Sequence, residues 1–237
     1  MKTWCVAVVL LSLSSVCQPA PLACDKLLKP VDKSPDLSGR WYLISMSSDN
    51  CMVPAVLNAF FWPSVAVDVT LTEPPNRYNS NFKFKMYGLC NEETEAFLHE
   101  NNTLFDIKDN NVASDSKDVL LYTGCPDCLV TKGEDFINTF LLFSRRKTVT
   151  AAELMEFETQ AKCLGWYKPQ IFNTDHEYEN CKTLDDDSDV DSADLSNRLY
   201  QRLRSSYTMP LSCITESIFS IPSSVSEWFQ EQFSTLA

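Results

Sequence analysis

Only five glycines (39, 88, 124, 133 and 165) punctuate these 237 residues, and no two lie close enough to build a phosphate-cradling loop. That scarcity argues against nucleotide-dependent enzymes. Positive charge is also in short supply. Lys+Arg total 20 against 32 Asp+Glu, a net charge of −12, and no compensating basic run exists. Nucleic-acid binding depends on neutralising phosphates, so that class is excluded. Anionic membrane surfaces are poor partners for the chain as a whole. The two histidines, His99 and His176, have no metal spacing, and no GxSxG or HExxH motif is present. His176, in Asn173-Thr-Asp-His176, reads as a surface residue. No metal, cofactor or catalytic activity is expected. No segment approaches the ~20 apolar residues of a membrane span.

A leader and a set of cysteines are present. Met1-Lys2 followed by the apolar run Val6 to Leu13 and then small residues reads as a secretory signal over residues 1–17, cleaved after Cys17 or Ala20. The expected product is secreted to the extracellular space. Cys5 and Cys17 leave with the signal, and eight cysteines remain: 24, 51, 90, 125, 128, 163, 181 and 213. An even number in an oxidising compartment points to disulfides. Cys125-Pro-Asp-Cys128 could be a zinc half-site or a redox motif. No second ligand pair has zinc spacing, and Pro126-Asp127 reads as a turn between strands rather than a helix start, which favours a structural bond.

The middle of the chain is β. Val65, Val67, Val69 and Leu71 alternate with polar or small residues, as do Phe82, Phe84 and Met86 with Lys83 and Lys85. Period two means one face buried and one wet. Eight strands are expected at about 40–47, 60–71, 80–88, 94–100, 103–108, 117–123, 128–132 and 138–145. Short turn-rich connections favour antiparallel neighbours, and eight such strands suit a closed barrel with room for one small ligand. One helix follows. Thr150-Ala-Ala-Glu153 is a capping box, and Leu154, Phe157, Ala161 and Leu164 form one stripe. Gly165 stands where the residue after the helix belongs. Phe140-Leu-Leu-Phe143 is apolar on both faces, so the helix is expected to cover that strand from outside.

Gly39-Arg40-Trp41 at the first strand resembles the lipocalin GxW signature, and Phe140-Leu-Leu-Phe-Ser-Arg145 resembles that family's last-strand element. The resemblance implies an all-β, eight-stranded antiparallel up-and-down lipocalin barrel with one C-terminal α-helix outside. It also implies Trp41 at the barrel floor, with Arg145 stacked over it and bonded to the N-terminal segment. Arg146 should then point away into solvent. Within the family, Gln18 to Cys24, Glu100-Asn-Asn-Thr103 and Glu153 to Cys163 resemble the alpha-1-acid glycoprotein (orosomucoid) group. Gly88-Leu-Cys90 and Cys125-Pro126 are similar to apolipoprotein M, and saxitoxin- and tetrodotoxin-binding lipocalins are similar too. This covers roughly residues 18–184 and implies the bridges Cys24–Cys163 and Cys90–Cys181. The chain departs from apolipoprotein M at Ala151-Ala152, where that group has a cysteine. A turn staple Cys125–Cys128 and, by elimination, Cys51–Cys213 are therefore expected. Asn101 is the only N-x-S/T sequon and is expected to carry a glycan.

Strand alternation from Trp41 places Leu43 and Ser45 inside, and the same logic points Phe82, Phe84, Leu104, Asp106, Phe140 and Leu142 inward as ligand contacts or plain core. A cavity-facing Asp106 would favour a cationic or polyhydroxyl ligand over a fatty acid. The tail divides into an acidic linker (185–194, six Asp and no basic residue) and an amphipathic extension (195–237) of short helices. Leu195, Leu199 and Leu203 form a stripe in it, and Ser224-Val-Ser-Glu227 is another capping box. The extension either docks on the barrel, binds a partner or lipid surface, or is mobile. Three functions follow: carriage of a small hydrophobic or amphipathic ligand, acute-phase immune modulation through surface contacts, and lipoprotein association through the tail. A cavity thiol at Cys51 would be the enzymatic exception.

Overall fold

The computed structural model describes residues 20–33, 35–61, 63–107, 113–135, 137–172, 174–178, 182–183, 192–206, 208, 210–211 and 213. The leader, Cys181, residues 185–191 and the segment with Ser224–Glu227 lie outside the described residues. The elements run α1 (Ala20–Leu27), β1 (Gly39–Ser48), α2 (Met52–Val56), a π-helical turn (Leu57–Phe61), β2 (Ser64–Thr72), β3 (Arg77–Met86), β4 (Leu89–Glu100) and β5 (Thr103–Ile107). They continue with β6 (Ala113–Leu121), β7 (Cys128–Gly133), β8 (Thr139–Ser144), α3 (Ala151–Cys163), β9 (Gln170–Ile171), β10 (Lys182–Thr183) and α4 (Ser192–Ser206).

Each of β1 to β8 pairs antiparallel with the next, and β8 returns to pair with β1. The sheet is thus a closed eight-stranded barrel with no free edge among those strands. Two connections are tight turns with positive φ at both central residues, Tyr87-Gly88 and Asn101-Asn102, which match the twist of antiparallel strands. The expected second strand begins later than its apolar run suggested. Met52 to Phe61 is helical instead, and β2 starts at Ser64, one residue after Pro63, which has no N–H to give to a ladder.

Three apolar clusters divide the interior and the outer wall. Leu37, Trp41, Val67, Val69 and Leu120 fill one end of the barrel. Leu43, Met46, Val65 and Phe172 pack near the other end with Phe84, Leu141, Phe143, and Val53 and Leu57 from the helical connection. The third cluster lies outside the barrel. Ile44, Val130, Phe140 and Leu142 meet Phe157 and Ala161 of α3, with Leu154 and Leu164 partly buried against them. Helix α3 begins with the full capping box between Thr150 and Glu153 and is followed by Gly165 at φ +72°.

Phe140, Leu142 and Ser45 therefore do not line the interior. Phe140 and Leu142 are 0% and 1% exposed because α3 covers them, and the Phe140 and Phe157 rings stack at 4.6 Å. Ser45 lies opposite Leu142 across the β1–β8 ladder, beyond a bulge between Leu43 and Ser45. The bulge inserts an extra residue and shifts the alternation, so Ser45 shares the outward face and donates its hydroxyl to the Gln170 carbonyl at 2.8 Å.

Phe140→Ala should cost about 3–5 kcal/mol in urea unfolding, because it empties a sealed outer-wall site. A loss below about 1 kcal/mol would mean that α3 does not seal this face.

Candidate functional site

The closed end of the barrel is built around Trp41. Its indole N–H donates to the Leu37 carbonyl at 2.8 Å, which fixes the N-terminal segment across the opening. The Arg145 guanidinium carbon lies 4.1 Å from the indole centroid, within cation–π range, and Arg145 also donates to the Asp36 carbonyl at 3.0 Å. Gly39 has φ +99°, and a Cβ there would come 2.7 Å from Arg145 Nη1. The glycine of the motif is thus required both for its backbone conformation and for the passage of the arginine. Cys24–Cys163 ties the same segment to α3, and Gln160 donates to the Leu27 and Tyr122 carbonyls at 2.8 and 2.7 Å.

Arg146 is not simply solvated. Its guanidinium donates to Glu153 Oε1 at 2.7 Å and approaches Cys125 Sγ at 3.3 Å, so it pins the 125–128 turn to the start of α3. Cys125 and Cys128 are bonded to each other. Those two sulfurs and Glu153 are near enough to suggest a metal cluster, but bonded sulfurs offer no thiolate ligands. His176 is buried, not on the surface. Its ring lies 5.3 Å from that of Tyr42, and burial holds its pKa down.

At the opposite end, the α2 and π-helical connection spans the opening. Cys51 is bridged to Cys213. Arg202 of α4 donates to the Asn58 carbonyl at 3.0 Å and to its side-chain oxygen at 2.6 Å. The described part of the tail thus docks on the barrel and fastens this connection. Tyr87, in the β3–β4 turn, donates its hydroxyl to the Phe60 carbonyl. Cys90 is disulfide-bonded, and β10 runs parallel to Leu89–Cys90.

Between the two ends lies a cavity of about 170 Å³. Trp41, Phe82, Phe97, Leu104, Leu129 and Phe143 supply apolar wall, while Ser80, Glu95, Asp106, Asp118 and Thr131 supply polar groups. Of the residues expected inside, Phe82, Leu104 and Asp106 line this cavity, and Leu43 and Phe84 belong to the interior cluster near the helical connection. The alternation of Phe82 and Phe84 located both strand β3 and its inner face. Glu95, Asp118, Thr131, Leu141 and Phe143 were not anticipated. A signal for the last two was present: Arg145 lies over Trp41, so residues two and four before it share its inward face.

Glu95 and Asp106 are exposed and Asp118 is half-buried, so the cavity communicates with solvent past the first two. Burial raises the carboxyl pKa of all three. Repulsion from Asp106 and Asp135 adds to burial at Asp118, which is pushed up to about 6 from its ordinary 3.8. Gly133 stands opposite Asp118 across the β6–β7 ladder, and a Cβ there would overlap Asp118 Oδ1. The glycine makes room for the carboxylate.

No family model matches the chain, and no curated protein matches it. Among solved structures, it is similar to the siderocalin Ex-FABP, described as functioning through dual ligand specificities, at 12% identity over 56% of this chain and 89% of that one, TM-score 0.45. It is also similar to odorant binding protein OBP1, at 15% identity over 62% of this chain and 99% of that one, TM-score 0.47. The barrel assignment rests on the strand pairing itself.

A raised carboxyl pKa favours the folded state while the proton is bound. The contribution is fully present at pH below 3.8 and is lost as pH rises through about 6. Asp118→Asn should therefore raise unfolding free energy at pH 7 by at most about 3 kcal/mol, with little gain at pH 4. Urea melts at both pH values check this, and an equal effect at the two would remove the buried-carboxylate account.

Proposed function

We propose that this protein is a secreted lipocalin that binds and carries one small hydrophobic or amphipathic ligand in its barrel cavity. The observation that carries the reading is the space of about 170 Å³ inside a closed barrel, whose lining is mostly apolar, with Trp41, Phe82, Phe97 and Phe143 among it and a few polar groups beside them. An apolar space of about 150 Å³ is sufficient for a benzene-sized molecule. The ligand should therefore be of roughly one-ring size unless the helical connection moves. Burial provides the affinity, at ~25 cal/mol per Å² of apolar surface removed from water, and the polar groups orient the ligand.

The Gly39-Arg40-Trp41 and Arg145 pair supports the lipocalin assignment, because the two elements meet at the floor as that family resemblance implies. The bond between Cys51 and Cys213 supports carriage rather than thiol catalysis. Three disulfides among the described residues and an expected leader support secretion. Asn101 is exposed in the turn at the floor end, away from the cavity entrance, where a glycan would not obstruct loading.

Protein purified from its native fluid should show, by intact mass under non-denaturing conditions, one small molecule per chain that organic solvent removes. The same spectra should lose a single glycan mass on N-glycosidase treatment. A barrel that is always empty would contradict the carrier reading, and an unchanged protein mass would contradict modification at Asn101.

A further inference from the structure

The helical connection over the barrel opening has little core of its own. Its buried residues are small or polar: Pro54, Ala55, Asn58 and Ala59. Val53 and Leu57 are partly buried, and Phe60 and Phe61 stand exposed. The position of the connection therefore owes less to apolar burial than to bonds that reach it from other elements.

Two such attachments come from the tail. Arg202 of α4 donates from Nε and Nη2 to the Asn58 carbonyl at 3.2 and 3.0 Å, and from Nη2 to the Asn58 side-chain oxygen at 2.6 Å. Asn58 is buried in the π-helical turn, a rare conformation that is frequent at functional sites. Cys213, beyond α4, is bridged to Cys51 at the start of α2. The connection is thus held at its middle by charge-assisted hydrogen bonds and at its leading end by a covalent bond.

What is held bears on the cavity. Val53 and Leu57 pack against the cluster of Leu43, Met46, Val65 and Phe172, and so do Leu141 and Phe143. Leu141 and Phe143 also line the cavity. The filled part of the interior and the open space of about 170 Å³ therefore share two wall residues. Withdrawing Val53 and Leu57 extends that space toward the opening.

We propose that the tail sets the size limit of the ligand: Arg202 and the Cys51–Cys213 bridge latch the connection shut and keep Val53 and Leu57 against the interior cluster. The inference rests on the carrier reading and adds a specificity-determining element to it. A one-ring ligand fits the shut form and is indifferent to the latch. A larger ligand binds only with the connection displaced, and its apparent affinity is reduced by the fraction of chains in that open form. Unlatching raises the fraction. Arg202 touches the connection and not the ligand, so it is a positioning residue.

Titration of the full chain with two neutral probes tests this, benzyl alcohol by calorimetry and the three-ring N-phenyl-1-naphthylamine by fluorescence. Two variants unlatch the connection by different routes: Cys51→Ser with Cys213→Ser, and Arg202→Gln, which keeps the bridge. Each should bind the three-ring probe at least about tenfold tighter than the native chain and benzyl alcohol with unchanged affinity. Amide hydrogen exchange at residues 52–61 should quicken at least about tenfold while β7 and β8 stay protected, which distinguishes local opening from loss of the fold. Three-ring affinity equal in native and variant chains, or exchange at 52–61 no faster in the variants, would overturn the latch, and benzyl alcohol binding would still uphold the carrier reading. Failure of both probes to bind any of the chains would overturn both.

Discussion

Closure of the sheet on itself is the constraint from which the rest of the structure follows. Once β8 pairs with β1, every strand has an inside and an outside, and the phase of one strand fixes its neighbours through the ladder. The fixed point is the floor, where Arg145 lies over Trp41 and the N-terminal segment crosses beneath through the Trp41–Leu37 and Arg145–Asp36 bonds. The arginine comes from the end of the last strand and the tryptophan from the start of the first, so their contact reports directly on the join. Gly39 is the residue that lets them meet.

The strands near the join are packed on both faces. Outward, β8 presents Phe140 and Leu142 to α3, and inward it presents Leu141 and Phe143 to the interior. The outer face is sealed and apolar and stabilises the barrel. The inner face is only partly filled, and on β4, β5 and β6 the filling gives way to the carboxylates Glu95, Asp106 and Asp118. Disulfides join segments that the sheet does not: Cys24–Cys163 holds the N-terminal segment to α3, and Cys51–Cys213 holds the helical connection to the tail.

The architecture was largely legible in the sequence because its signals are local. Period-two alternation marked β2 and β3, the Thr150–Glu153 box marked α3, and the separation of Trp41 from Arg145 pointed to closure. The inner surface was less legible, for two physical reasons. Phe140 to Phe143 is apolar throughout, so alternation alone cannot say which pair faces in. The phase comes only from Arg145. The bulge in β1 has no sequence marker, and it moved Ser45 to the outside. Phe60 and Phe61 read as strand because they are apolar, yet they belong to the helical connection over the opening. Asp118 and Thr131 became visible only through register, since Leu104 and Leu120 place them inside.

The carrier reading proposed above puts the ligand within the barrel, between the Trp41 floor and the helical connection. Methyl-labelled NMR of the full chain, with and without the ligand recovered from the native protein, tests it most directly. Carriage in the barrel predicts the largest shifts at Leu104, Leu129 and Leu141, which line the cavity, and little change at Leu142 on the outer wall and at Ala161 of α3. Shifts concentrated at Leu142, Ala161 or α4, with the inner leucines unmoved, would contradict it.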